Sequence, residues 1–269
     1  MNQTGRYFRL LFSFAKFSLA SEMAFRWNFL MKVALELLWL VILIVFYRTL
    51  FAKTGTISGW TEGEYLFFVG CYYALEGVIE SLFLENATEF SELIRKGDLD
   101  FYLLKPVDEQ FLVSFRKFDW STAPKVLIGG VLMVIALNQL QWSFDPAKIL
   151  AFMTLFGGGI ALAYGFLLAL ASTSVWLVRN QSLLELWWLF TTLMRYPREI
   201  YQSGWAWSLW VFFSFVVPAM LVVSIPAETM VRSIDLFWSF WVVFSAILVI
   251  LASRWFFRRA IRSYRSASS

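Results

Sequence analysis

The sequence predicts an all-α integral membrane protein with six transmembrane helices, and two observations support this prediction. Hydrophobic residues make up 59% and charged residues only 16% of the 269 positions, which is more apolar surface than a soluble core of this size buries. Runs of about 20 apolar residues, long enough to cross roughly 30 Å of hydrocarbon, recur along the chain. We therefore expect residues 1–269 to form a single transmembrane domain.

The apolar runs place the six spans. They lie at about residues 27–50, 65–84, 122–137, 149–178, 182–193 and 236–256. Segments rich in glycine and polar residues separate the first two runs, and the segment NQLQWSFDPAK separates the third and fourth, as expected for turns in water.

The region 194–232 interrupts the regular pattern. The polar stretch RYPREIYQSG follows the short fifth run, and the next apolar run, 205–223, contains Pro218. Because backbone that is not helical survives at membrane depth only where protein or water satisfies it, we predict a broken or re-entrant hairpin before the last span. Two complete spans across residues 182–223 are the alternative.

The amino-terminal segment 1–26 predicts an amphipathic helix lying on the inner membrane surface. Arg6, Arg9 and Lys16 alternate with apolar residues at helical spacing, and no compact apolar core with a small-residue cleavage site follows. Lys and Arg are also concentrated in the segments that six spans place on one side, which predicts that both termini are cytoplasmic.

The residue types exclude several kinds of chemistry. Histidine is absent and Cys71 is the single cysteine, so we expect no metal site of imidazole or thiolate ligands and no catalytic triad. No nucleotide-binding G-x-x-x-x-G-K-[ST] loop occurs. The sequence therefore predicts neither an enzyme nor a chain that binds a cofactor itself.

The longest hydrophilic interval, residues 85–106, predicts a short amphipathic helix on the cytoplasmic side. Asn86 followed by Glu89 is a capping-box pattern, and Gly97 stands where a left-handed helix end belongs. The apolar stripe of this helix either packs back on the bundle or docks into another protein.

These features together resemble the permease subunits of type-2 ATP-binding-cassette (ABC) exporters. The stretch GWTEGEYLFFVGCYY, residues 59–73, and the stretch IRKGDLDFYLLKPV, residues 94–107, resemble a bacterial branch in which permeases work with a separate ATPase and often a second, related permease. The resemblance implies two permease copies, identical or related, and ATPase partners that bind the ATP and Mg. It also implies a coupling helix that docks on the ATPase, with Glu89, Phe90, Leu93, Ile94, Arg95 and Lys96 as its residues.

Ionisable residues inside the predicted spans suggest either a substrate path or an ion-pair cluster, because each is costly in hydrocarbon. These residues are Lys32, Glu36, Glu76, Glu80 and Glu185. We expect Lys32 to lie opposite Glu80, since consecutive spans are antiparallel. An acidic lining would favour a cationic amphiphile as cargo, although the sequence also fits lipid, peptide or drug export.

Small residues repeat every four positions along the fourth span, at Gly157, Ala161, Gly165 and Ala169. This pattern predicts a smooth face against which another helix packs closely. A secondary transporter or a membrane scaffold not coupled to an ATPase is the alternative function, but we find no paired repeats between residues 27–137 and 149–256 of the kind many secondary transporters contain.

Overall fold

The computed structural model describes residues 3–177 and 181–264, with side chains for residues 5–177 and 185–264. Within these ranges the chain is helical and has no strand, as the composition predicted. The end of the predicted fourth span at residue 178 and the start of the predicted interfacial helix lie outside the described residues.

The helices follow the predicted spans closely. In chain order they are α1 (Gln3–Ala24), α2 (Arg26–Thr54), α3 (Glu62–Ile79), α4 (Glu85–Lys96), α5 (Leu99–Leu103), α6 (Glu109–Phe115), α7 (Pro124–Gln139), α8 (Pro146–Thr173), α9 (Gln181–Met194), α10 (Trp207–Phe215), α11 (Leu221–Val231) and α12 (Leu236–Ser263). In the described part of the chain, four helical stretches are long and apolar enough to span a membrane, namely α2, the stretch 62–96, α8 and α12.

Local sequence signals explain where several helices begin. Asp145 accepts hydrogen bonds from the backbone N–H groups of Ala147 and Lys148, and Pro146 occupies the first helical position of α8. Asp235 caps α12 in the same way, through the N–H groups of Phe237 and Trp238. Side-chain caps of this kind satisfy the N–H groups that a helix start leaves without partners.

The bundle consists of two closely packed helix pairs, α3 with α7 and α8 with α12, and α11 lies between them. Glycines allow the first pair to approach: a Cβ added at Gly129 would lie 2.5 Å from the backbone N of Ala74, and one at Gly77 would lie 2.7 Å from the Cβ of Lys125. Helix α2 is different, because none of its most apolar window is buried. The chain therefore presents α2 almost entirely to its surroundings.

The two ends of the bundle carry different elements. We call the end at which α7 leads into α8 the distal end, and the end that carries α1 and the turn between α4 and α5 the proximal end. Helix α1 is fastened at the proximal end by hydrogen bonds: Tyr7 Oη accepts from the N–H of Asp108, and Ser18 Oγ accepts from the N–H of Phe118. Its opposite face leaves Phe8 exposed.

The region 194–232 forms a hairpin of two short helices, α10 and α11, joined at Pro218. With 9 and 11 residues, they are about 14 and 17 Å long, about half of the hydrocarbon thickness. The carbonyl of Val222, at the start of α11, lies 2.4 Å from where a Cβ on Gly159 would be, and Gly159 is near the middle of α8. Pro226 cannot donate to that carbonyl, because proline has no N–H.

Candidate functional site

A helix, α4, lies where the coupling helix was predicted, but it does not begin at a cap. Leu84 has helical backbone angles and α4 continues from α3 through a π-helical turn, Glu80–Leu84. The capping-box prediction is therefore wrong: the side chain of Asn86 instead bonds the backbone N–H and C=O of Lys117. The predicted end of the helix is confirmed, since Gly97 has a φ of 76°.

Most of the apolar stripe of α4 packs against the chain itself. Phe90 is fully buried, with its ring centroid 6.0 Å from that of Phe257, and Leu93 is also buried. Ile94 is partly buried. Of the two outcomes that the sequence left open for this stripe, the structure shows packing on the bundle.

The charged residues of α4 divide into an internal and an exposed group. Glu89 accepts hydrogen bonds from Arg116 and Lys117. Partial burial lowers the pKa of Lys117, but the hydrogen bond to Glu89 and the nearby carboxylates outweigh this effect, so its pKa is raised. Arg95 and Lys96, by contrast, are exposed and pair with Glu92 on the same helix.

The exposed apolar residues of this segment lie just beyond α4, on and after α5. Phe101 is 68% exposed and Leu104 is 82% exposed. Both lie within a hydrophilic stretch whose neighbours include Arg95, Lys96 and Lys105. We call Phe101, Leu104, Arg95 and Lys96 the tip. Exposed apolar residues with a charged rim are typical of a protein interaction site.

A second group of charges lies in the proximal half of the bundle, around Lys125. Its Nζ lies 2.7 Å from a carboxylate oxygen of Glu80, 3.2 Å from Glu36 and 3.6 Å from Glu76. We call these four residues the proximal cluster. Buried charges of this kind are retained only when they are paired and hydrogen-bonded.

The expected pairing of Lys32 with Glu80 is wrong. Lys32 Nζ is 3.7 Å from a carboxylate oxygen of Asp119 and is half exposed, and Lys125 takes the place next to Glu80. Because α7 rather than α2 packs tightly on α3, the cation that reaches Glu80 comes from α7. Glu185 is exposed on α9 and does not line the cavity described next.

The proximal cluster lines a cavity of about 520 Å³ between α2, α3, α7 and α9. Tyr72 donates a hydrogen bond of 2.6 Å to Glu76 and accepts one from Arg195. Trp39 and Trp188 also line the cavity and are at least half exposed. The cavity thus combines carboxylates with aromatic rings, a combination that suits a ligand with a cationic group and an apolar part.

Comparison with known families identifies the kind of protein. A family model described as ABC-2 family transporter protein matches residues 37–268. The chain belongs to this family. Members are permease components of membrane transport and not themselves enzymes, so this chain is a multi-pass membrane permease, and its family implies association with ABC ATPase partners. No curated protein and no solved structure matches the chain.

The sequence reasoning missed a third charged group, at the distal end of this permease. Arg198 bonds both Glu199 and Glu228, with closest distances of 3.0 Å. Arg232 bonds Glu64 at 3.1 Å. We call these five residues the distal cluster. The sequence contains one sign of this cluster, because the charged residue Glu228 stands within an otherwise apolar run.

The predicted packing face on α8 is only partly used. A Cβ at Gly165 would lie 2.6 Å from Val249 of α12, which confirms a close approach there. Gly157 is exposed and has open space around it, while Ala161 and Ala169 are half-buried beside cavities. The permease uses Gly159 for its closest contact on α8, a residue outside the predicted four-residue repeat.

Proposed function

We propose that this permease forms half of the substrate path of an ATP-driven exporter in a bacterial inner membrane, coupled to a separate ATPase. Two permease copies, identical or related, would form the complete path, and the partner subunits would bind ATP and Mg. The observation that carries the proposal is the tip, which presents exposed apolar residues in the hydrophilic segment of a chain from the ABC-2 family.

The proposed topology has six crossings, with both termini on the cytoplasmic, proximal side. The crossings are α2, the stretch 62–96, α7, α8, α9 and α12. The hairpin of α10 and α11 would enter from the distal side and return, which is supported by the length of its helices and by the contact of Val222 with the middle of α8. Helix α1 would lie on the inner surface with Phe8 toward lipid.

The tip would be the place where the ATPase docks. The ATPase would contact Phe101 on α5 and Leu104 just after it. It would not contact the apolar stripe of α4, which the chain itself buries. Arg95 and Lys96 would flank it. The contacts between the ATPase and the tip would differ between the two arrangements of the permeases. Closure of the ATPase would therefore favour one arrangement over the other.

The docking proposal is tested by changing the tip and measuring co-purification of the permease with its ABC ATPase partner. We expect Phe101→Ala with Leu104→Ala to lower the recovered ATPase at least about tenfold, because central apolar residues of an interface each contribute more than 1 kcal/mol. Charge reversal at Arg95 and Lys96 should weaken it further. The matched control is Phe144→Ala with Leu236→Ala, two equally exposed apolar residues at the distal end. Full retention of ATPase by the tip variants would contradict the proposal.

We further propose that the cavity beside the proximal cluster admits the cargo from the inner leaflet, and that the cargo is a cationic amphiphile. Glu36, Glu76 and Glu80 outnumber the cations Lys125 and Arg195 that line the cavity. A ligand cation would find carboxylates near aromatic faces there, and its apolar tail would lie along α2.

This cargo is tested with dodecyltrimethylammonium as the probe and the ATPase rate of the assembled complex as the readout. Glu36→Gln with Glu76→Gln should abolish the stimulation by the probe while leaving complex assembly intact. Glu185→Gln is the control, because Glu185 is an exposed carboxylate of α9 outside the cavity lining. Unchanged stimulation of the double variant would remove the cationic cargo from the proposal.

A further inference from the structure

A second cavity lies on another side of the bundle from the proximal cluster. It has a volume of about 380 Å³ and is formed by α8, α9, α12 and the turn between α10 and α11. We call it the α12 groove. Its lining includes Ala169, Phe190, Pro218, Ala252 and Phe256.

The α12 groove is built for hydrocarbon. Almost all of its accessible lining consists of carbon atoms. The one side-chain hydroxyl, that of Ser253, donates to the carbonyl of Ile250 in its own helix. The N–H groups of Val216 and Val217 at the turn both bond the carbonyl of Phe212. No polar group of the described lining therefore needs a polar ligand within the groove.

The surroundings of the groove on α12 are lipid-facing. Trp255 at its edge is 69% exposed, and the neighbouring residue Leu251 is also exposed. In a multi-pass membrane protein, exposed apolar residues of a spanning helix contact acyl chains. Trp176 packs against Phe256, one of the lining residues, with ring centroids 5.5 Å apart.

A cationic side chain follows the groove at its proximal end. Arg259 comes three residues after Phe256 and four after Trp255, spacings that place side chains on one face of a helix. It is exposed, and no carboxylate among the described residues forms an ion pair with it. Arg258 is three residues after Trp255 but two after Phe256 and six after Ala252, so it lies farther than Arg259 from most of the groove lining on α12.

From the groove and its cation together, we propose that the α12 groove binds one acyl chain of an anionic phospholipid and that Arg259 binds its phosphate. A basic side chain at the membrane surface attracts anionic headgroups. An acyl chain that occupies the groove packs against its apolar lining. A symmetric second copy fits this place less well, because its own basic α12 end would lie against Arg259, and like charges oppose such an interface.

The test uses the purified full-length permease, native mass spectrometry and two lipids with the same dioleoyl chains, phosphatidylglycerol and phosphatidylcholine. Ala252→Phe fills the groove from an exposed position, and we expect it to remove one bound phosphatidylglycerol. Leu251→Phe, the adjacent exposed residue that does not line the groove, should bind as the unmodified chain does.

The headgroup contact is tested separately. Arg259→Gln should raise the Kd for phosphatidylglycerol about fivefold, since one Arg near an anionic surface contributes on the order of this factor, and should raise that for phosphatidylcholine less, because its choline cation offsets the charge of the phosphate. Arg258→Gln is the matched control. Equal lipid binding by Ala252→Phe and the unmodified chain would overturn the proposal. So would a dimer that dissociates in Ala252→Phe with its bound lipid retained, because that result assigns the groove to a second copy.

Discussion

The proximal cluster around Lys125 and the distal cluster around Arg198 both place a cation among carboxylates, but their surroundings differ. The proximal cluster lines a cavity, and the side chain of Glu36 is 24% exposed. In the distal cluster, aromatic rings cover the cations: Arg198 lies 4.3 Å from the ring centre of Trp238, and Arg232 lies 4.2 Å from that of Trp60.

The two ends differ in what surrounds the charges and not in the burial of the central residues, since Lys125, Glu76 and Glu80 are about as buried as Arg198 and Glu228. At the distal end, Trp60 also donates from its indole N–H to Glu199, so the loop before α3 is tied to the turn after α9. Charges held in this way stabilise one arrangement of the helices. At the proximal end, the charges line a cavity and Glu36 is the most exposed of them, so a ligand that enters the cavity can compete with Lys125 for Glu36.

Removing Arg198 should produce the largest effect. Arg198→Met leaves Glu228 buried without its ion-pair partner, and breaking a buried pair on one side costs about 3–5 kcal/mol. We expect a loss of this size in the free energy of unfolding, measured by denaturant titration in mixed micelles. Adding Glu228→Gln should restore much of it, because the buried carboxylate is then neutral. Equal stability of Arg198→Met and the unmodified chain would remove the distinction between the ends.

Removing Lys125 should cost less stability than removing Arg198, and it should change the response to the cationic probe. Lys125→Met leaves three carboxylates without their cation, and we expect a loss of roughly 1–3 kcal/mol in the free energy of unfolding, because the cavity gives water a path to them once the lysine is gone. The complex should then respond to a lower concentration of the cationic probe, since the probe no longer competes with Lys125 for the carboxylates. Lys125→Arg keeps the charge and serves as the control. A stability loss as large as that of Arg198→Met would show that water does not reach the proximal cluster.

Two glycines of α8 test how the hairpin positions the distal cluster. A Cβ at Gly159 would lie 2.4 Å from the carbonyl of Val222, whereas Gly157 has open space around it. Gly159→Ala should therefore destabilise by about 1–3 kcal/mol through overpacking and displace α11, which carries Glu228. Gly157→Ala should be neutral or stabilising by about 0.5 kcal/mol, as alanine favours a helix. Equal effects in the same denaturant titration would exclude a close contact at Gly159.

The helix positions could be predicted because their signals are local. The predicted apolar runs coincide with helices of the structure, and Gly97 marked a helix end. The continuity of α3 and α4 could not be predicted in this way, because the capping-box residue Asn86 found a partner 31 positions away, at Lys117. A side chain suited to a cap can serve a distant backbone segment equally well.

The charge pairs depend on which helices pack together, and this information is not local. The sequence predicts Lys32 beside Glu80 because consecutive spans are antiparallel neighbours, and it carries no local signal that Lys125 reaches Glu80. Gly77 and Gly129 bring α7 against α3 instead, and this contact places Lys125 among the carboxylates. The burial of Phe90 and the exposure of Phe101 likewise depend on how α4 and α5 pack on the bundle, which is not a local signal.

Removing Lys32 should have the smallest effect and sharpens the contrast with Lys125. Its pair with Asp119, at 3.7 Å, involves a side chain that is 50% exposed. Exposed ion pairs contribute about 0–1 kcal/mol, so Lys32→Met should lower the free energy of unfolding by no more than this amount. Both lysines belong to the proximal half of the bundle, but only Lys125 contacts Glu36, Glu76 and Glu80. If Lys32→Met changed the response to the cationic probe while Lys125→Met left it unchanged, the cation that competes for the cavity carboxylates would be the one on α2, and the pairing of Lys125 with them would be wrong.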